Sequence, residues 1–190
     1  KILQYSADLG HYVGDSHVPL HTTENYNGQM TNQKGIHGFW ESRVPELSAE
    51  NYDYLVGRAA YISDPLEKAW SIVKHSHYSL DSVFSVEKEL TELFDDDKKY
   101  SFEHRGRVVM KVYSEDFSME YQRRLNGMQE RRMRESILTA GSFWYTAWVN
   151  SGQPDLSDLK EDLSEEMKEE MKKNDEYFNK GKINGRNHGK

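Results

Sequence analysis

Ile2, Leu3, Leu9 and Val13 recur at helical spacing and predict a helix over 2–15. That rhythm is already running at Lys1, and there is no Met at that position, so the sequence is expected to begin inside an element. Pro19 drives the residue before it out of helical geometry, which sets His21 just past a bend. Residues 22–35 are rich in Asn, Thr, Gly and Gln, side chains that bond to local backbone or tolerate positive φ, and predict a surface loop. A short helix resumes over 37–43, with Pro45 near its end. Apolar spacing predicts helices over 51–62 and 64–94, the second carrying Leu66, Ala69, Trp70 and Val73 and opening on the cap-and-proline pair Asp64-Pro65. The run 108–112 is β-branched but has no evident partner strand, so helix or extended coil is expected. Ser114, followed by Glu115 and Asp116, starts a long helix that ends near Gly152 and Pro154. Its core face is Phe117, Tyr121, Leu125, Met128, Ile137, Phe143, Trp144 and Trp148.

Beyond that point the character changes. Residues 155–177 are strongly charged yet keep Leu159, Leu163, Met167 and Met171 on one narrow stripe. The pattern divides the chain into a helical body over 1–153, a charged amphipathic helix over 154–179 and a disordered tail over 180–190.

Composition narrows the function classes. A chain of 190 residues is long enough for one domain with a core, and four Trp and twelve Tyr supply large buried surfaces despite only 36% hydrophobic content. The net charge of −7 opposes broad binding to nucleic-acid backbones or anionic membranes. With no cysteine, disulfides and thiolate zinc sites are excluded, and any metal must be held by imidazole and carboxylate. No run of about 18 apolar residues and no signal peptide is present. Nor is there a Gly-rich phosphate loop or a serine nucleophile elbow.

What remains is a ligand pattern. His11 and Asp15 are four residues apart, roughly 40° from each other around a helix, and His37 and Glu41 repeat the spacing on a second segment. With His21 after the Pro19 bend, three segments present zinc-type ligands. One His-x-x-x-Asp pair alone is commonly a surface ion pair; the combination is far more specific.

The stretch His11-Tyr-Val-Gly-Asp15-Ser-His-Val-Pro19-Leu-His21 resembles the central motif of the zinc-dependent phospholipase C and single-strand-specific nuclease superfamily. Gly35-Ile-His37-Gly-Phe-Trp40-Glu41 resembles its next ligand segment, and together they cover the first quarter of the chain. The resemblance implies an all-α, multi-helical phospholipase C-like bundle lacking the family's N-terminal half. It implies that His21, His37 and Glu41 hold one Zn2+, that His11 binds a second, and that Asp15 bridges the second and a third as the catalytic carboxylate. Up to three ions complete the family site, and the half that supplies the terminal amino group, a further His, and an Asp and His is not in these residues. Val18 replaces the Gln usual before the Pro, and the loop from His21 to His37 is nearer in length to the phospholipases. The implied activity is hydrolysis of phosphate diesters, phospholipid or nucleic acid, by an exported protein without stable membrane insertion. Two other readings stand beside it: a single-strand nuclease-like phosphodiesterase, and a non-catalytic helical module keeping one zinc at His21, His37 and Glu41.

Other residues have simpler roles. His17 is expected to hydrogen-bond rather than ligate. His75 and His77 fall on different sides of a helix and form a solvated pair. Trp40 fits either a cleft wall or the core, and Asn25 and Tyr26 a loop-stabilising role. Arg123, Arg124, Arg131, Arg132 and Arg134 interleave with Glu120, Glu130 and Glu135 as a solvated helix face.

Overall fold

The computed structural model describes residues 1–157 together with Glu169, Lys172 and Lys173. The helix predicted over 154–179 lies almost entirely, and the tail over 180–190 entirely, outside the described residues. The order is α1 (Ile2–Ser16), a 3-10 turn (Pro19–Thr22), α2 (Ile36–Gly38), a π-turn (Phe39–Arg43), α3 (Val44–Ser48) and a second 3-10 turn (Ala49–Asn51). Then come α4 (Pro65–Tyr78), α5 (Leu80–Leu93), α6 (Asp96–Lys99), strands β1 (Tyr100–Arg105) and β2 (Val108–Tyr113), α7 (Glu115–Arg124) and α8 (Met128–Asn150). The protein is thus predominantly helical. Residues 1–101 and 111–153 form one compact unit and residues 102–110 and 154–157 belong to a second; the site described below lies wholly in the first. No described helix is long and apolar enough to cross a membrane.

Predicted start signals form as expected. The Asp64 carboxylate accepts from Glu67 N–H at 2.9 Å at the head of α4, and Ser114 Oγ accepts from Phe117 N–H at 3.3 Å at the head of α7. Helix α1 packs on α8 and α4. Gly10 is required at the first contact, because a Cβ there would lie 2.9 Å from Trp144 Cζ2, while Trp144 Nε1–H donates to the Ser6 carbonyl at 2.9 Å. The main core is aromatic: Phe39 stacks on Tyr113 with ring centroids 4.0 Å apart and meets Tyr121 at 4.7 Å, in a cluster with Ile36, Val83, Leu90 and Phe117.

Four predicted elements are corrected. Residues 53–62 are irregular, not helical. Their backbone donors find partners on α8, where Ala60 N–H donates to Ser142 Oγ at 3.1 Å and Ile62 N–H to Thr146 Oγ1 at 2.8 Å, so no helical ladder is needed. The helix over 64–94 breaks at Ser79 into α4 and α5, and Leu66 and Trp70 are exposed while Ile72 and Ser76 turn inward. The helix over 114–152 breaks between α7 and α8 because Asn126 and Gly127 take φ of 52° and 66°. Ile137 and Trp144 of its expected core face are exposed. Finally, the run 108–112 lies in strand β2, paired across Gly106-Arg107 with β1, whose alternation of Tyr100, Phe102 and His104 with Ser101, Glu103 and Arg105 marks the partner strand.

Candidate metal centre

Helix α1 carries His11 and Asp15 on one face, with His11 Nε2 3.3 Å from Asp15 Oδ2. The chain then leaves the helix, and Pro19, fixed in φ and lacking an N–H, opens the 3-10 turn that presents His21. His21 Nδ1–H donates to the Asp15 carbonyl at 3.1 Å, which sets the ring with Nε2 facing inward. The loop that follows is pinned by buried Asn25, whose side chain accepts from Met30 N–H at 2.7 Å and donates to Thr31 Oγ1 at 3.0 Å. This is the stabilising role expected for Asn25. Exposed Tyr26 instead sets its ring edge-on to His37, centroids 5.7 Å apart.

His37 and Glu41 come from the continuous helix Ile36–Ser48, and its distortion has a local cause. Pro45 has no N–H to give the carbonyl four residues back, which belongs to Glu41, and its ring would clash with that carbonyl. The helix widens into the π-turn instead, closed by Val44 N–H on the Phe39 carbonyl. Glu41 therefore sits where the helix departs from regular geometry, half-exposed between buried Trp40 and the start of α3.

His21, His37 and Glu41 bring one ligand atom each into a cluster within 4.8 Å. His21 Nε2 lies 3.1 Å from His37 Nε2, His37 Nε2–H donates to Glu41 Oε2 at 2.6 Å, and His21 Nε2 is 3.6 Å from the same oxygen. Ligand atoms around a tetrahedral zinc at about 2.0–2.2 Å stand about 3.3 Å from one another, and the three edges bracket that length. Two imidazole nitrogens and one carboxylate oxygen also form the donor set of a three-ligand site with a free fourth position, so these residues fit the ion. The five predicted ligands do not all join one cluster. His11 and Asp15 pair beside it, and Asp15 turns Oδ2 to His11 and Oδ1 toward His21 Nδ1, 3.9 Å away.

None of the family models, curated proteins or solved structures compared with the chain matches it.

The cluster is electrostatically coupled. The hydrogen bond to Glu41 raises the His21 pKa above the ordinary imidazole value, against the opposing effect of burial. Burial works against the charge on Glu41, yet hydrogen bonds from His21 and His37 hold its pKa down to about 2. The carboxylate thus favours the protonated form of His21, which a bound cation would have to displace.

Two clefts open beside the cluster, with Asp15 on the wall of both. One, of about 430 Å³, is also bordered by His11, Trp40, Glu41, Tyr54 and Gln129. The other, of about 510 Å³, is bordered by His21, Thr22, Trp70, Lys74 and His77. Trp40 is both buried and a cleft wall, so the two roles weighed for it coincide. The sequence carried no sign that Gln129 faces the site from α8. The expected solvated arginine face needs one correction: Arg132 is 5% exposed, its Nε–H donates to the His17 carbonyl at 2.9 Å, and its guanidinium also reaches Ser76 and Glu135. His75 and His77 are both exposed on α4 and face different ways, as expected, His75 meeting Arg132 and His77 the Thr22 carbonyl.

His17 hydrogen-bonds, as expected: its Nδ1–H donates to the Val13 carbonyl at 2.7 Å and the ring is buried. Burial, reinforced by Arg132, lowers its pKa to about 4 despite that hydrogen bond. Between the unfolded value near 6.5 and about 4 the folded chain binds fewer protons than the unfolded one, so stability rises with pH through that window. Its contribution is complete above pH 6.5 and about 3 kcal/mol is lost by pH 4. Urea midpoints measured from pH 7 to 4 should show this loss, and His17→Gln, which keeps a donor for Val13, should flatten it. An unchanged slope in the variant would remove His17 as the cause.

Proposed function

We propose that this protein is a zinc-dependent hydrolase of phosphate diesters of the phospholipase C-like kind. In this reading His21, His37 and Glu41 hold one Zn2+, while Asp15 and His11 serve further ions. The carrying observation is the triad itself, three zinc-type ligand atoms within 4.8 Å of one another with a cleft at Glu41. Bound zinc would supply positive charge that polarises a phosphoryl oxygen and acidifies a water molecule. The chain's own residues do the orienting. Asp15 holds the His21 ring through its carbonyl, Glu41 keeps both imidazoles turned to one point, and the Asp15 carboxylate lies beside His11 at 3.3 Å, where it would serve a further ion.

The test uses the purified chain, zinc-loaded or stripped, with bis(4-nitrophenyl) phosphate. Zinc-dependent turnover is expected, and Asp15→Asn should lower it on the order of a thousandfold at matched zinc content. Turnover that survives chelation, or an Asp15→Asn rate equal to the unaltered chain's, would overturn the reading. A second reading, a non-catalytic module with one zinc, is favoured by a specific observation: among the described residues only His21, His37 and Glu41 gather as a single-ion set. Stoichiometric zinc without turnover would select it.

A further inference from the structure

Gln129, at the start of α8, is 1% exposed, and neither its amide nitrogen nor its amide oxygen has a hydrogen-bond partner. Trp40, 4% exposed, carries an indole N–H in the same state. Among the described residues these are the only buried side-chain polar atoms without a partner, although they belong to elements far apart in the chain. Both residues line one cleft, the cavity of about 430 Å³ that reaches Asp15 and Glu41. Buried polar groups are ordinarily paired, because an unpaired one forfeits its hydration for nothing in return. Two such side chains on one wall therefore mark where a ligand's polar atoms belong.

The wall decides the chemistry. Val18, Pro45, Tyr54, Met133 and Ile137 make the rest of the lining mostly apolar, the usual character of a small-molecule site with a few polar anchors. An acyl chain would match those walls but leave three polar atoms buried and unpaired. An anion would meet the carboxylates of Asp15 and Glu41, would find Arg132 of the same lining already bonded to Glu135 and the His17 carbonyl, and would offer no donor to Gln129 Oε1. A quaternary ammonium has neither donor nor acceptor. An amide edge has both side by side, and a glutamine side chain pairs with such an edge through two hydrogen bonds. The indole N–H then needs one further acceptor.

We infer that this cleft is a binding subsite for a neutral planar group bearing an adjacent hydrogen-bond donor and acceptor, namely a carboxamide or the amide-like edge of a nitrogen heterocycle. The group pairs with Gln129, and an acceptor atom on it or beside it takes the Trp40 N–H. That it forms part of the diester being hydrolysed rests on the proposed function; that it binds does not.

Binding is therefore read without metal. The zinc-stripped, 15N-labelled full chain is titrated with benzamide and, separately, with cytidine, while the Trp40 indole signal, assigned by its loss in Trp40→Phe, is followed. A saturable shift of that signal with either probe is expected; benzamide alone identifies a carboxamide, cytidine alone a heterocycle. Choline and hexanol should leave it in place. Gln129→Leu should weaken binding at least tenfold, and Gln129→Met, of matching length, should do the same if the leucine variant folds poorly. Both variants should melt no lower than the unaltered chain, since each removes an unpaired amide. No shift with either probe, an equal response to hexanol, or undiminished binding by a folded Gln129 variant would overturn the subsite. Loss of the zinc reading alone would leave these outcomes unchanged.

Discussion

His37→Ala is expected to lower zinc affinity at least about a hundredfold, read by competition with a chromophoric chelator. Removing an outer hydrogen-bond partner of a metal ligand already costs about 10–100-fold, and His37 is placed as a ligand itself. Its loss also takes the 2.6 Å hydrogen bond from Glu41 and the facing nitrogen from His21, so the remaining pair is less well aimed. His77→Ala removes an imidazole that meets Thr22 outside the triad and should change affinity less than about twofold. The unaltered chain should also bind zinc more tightly as pH rises. Glu41 holds a proton on His21 above the ordinary imidazole value, and the ion must displace it. Affinity should climb by up to about tenfold per pH unit until pH passes the raised His21 value, then level. Equal affinity in His37→Ala, or a flat pH profile, would remove the triad as the zinc site.

The difference between what the sequence made legible and what it hid follows from sequence separation. His11 with Asp15 and His37 with Glu41 are local pairs, and helical spacing alone brings each together. The cap at Asp64, the bend at Pro19 and the start at Ser114 are local in the same sense. The irregular course of residues 53–62 depends on hydroxyls of α8 more than 80 residues away, which take donors that the apolar rhythm assigns to a helix. Buried Arg132 shows the same limit, since its partners His17 and Ser76 lie on other elements. The π-turn was within reach: a proline four residues after a candidate ligand signals that the helix must open there. Gln129 had no local signal, because an unpartnered amide is defined only by what surrounds it.

Lys99→Met is expected to destabilise the protein by about 3–5 kcal/mol, a fall in melting temperature on the order of 10 °C. Glu87 lies inside the main unit with its side chain 2% exposed, and Lys99 Nζ is its only cation within salt-bridge distance among the described residues, 2.9 Å from Oε1. Lys99 also donates to Thr91 Oγ1 at 2.6 Å and sits 5.3–5.5 Å from the ring centroids of Tyr100, Tyr113 and Phe117. Methionine fills a similar volume but leaves the carboxylate with neutral donors alone, chiefly Gln33 Nε2 at 2.6 Å and Thr91 Oγ1 at 3.0 Å. The Tyr113 hydroxyl, 3.4 Å from Oε1, stays a neutral donor as well, because burial and Glu87 push its pKa well above the usual phenol range. Glu87→Gln alone should be similarly harmful, since it strands the ammonium. The double variant should recover much of the loss, with a coupling of about 2–3 kcal/mol in urea unfolding. The effect should reach the metal centre as well. Gln33 joins Glu87 to the end of the loop that delivers His37, and donates to the Phe84 carbonyl at 2.8 Å, so weakening this anchor loosens a zinc ligand. Zinc affinity in Lys99→Met should fall by about tenfold, the lower end of the outer-partner range. A loss under about 1 kcal/mol with unchanged zinc affinity would mean that the buried pair neither holds the core nor positions the site.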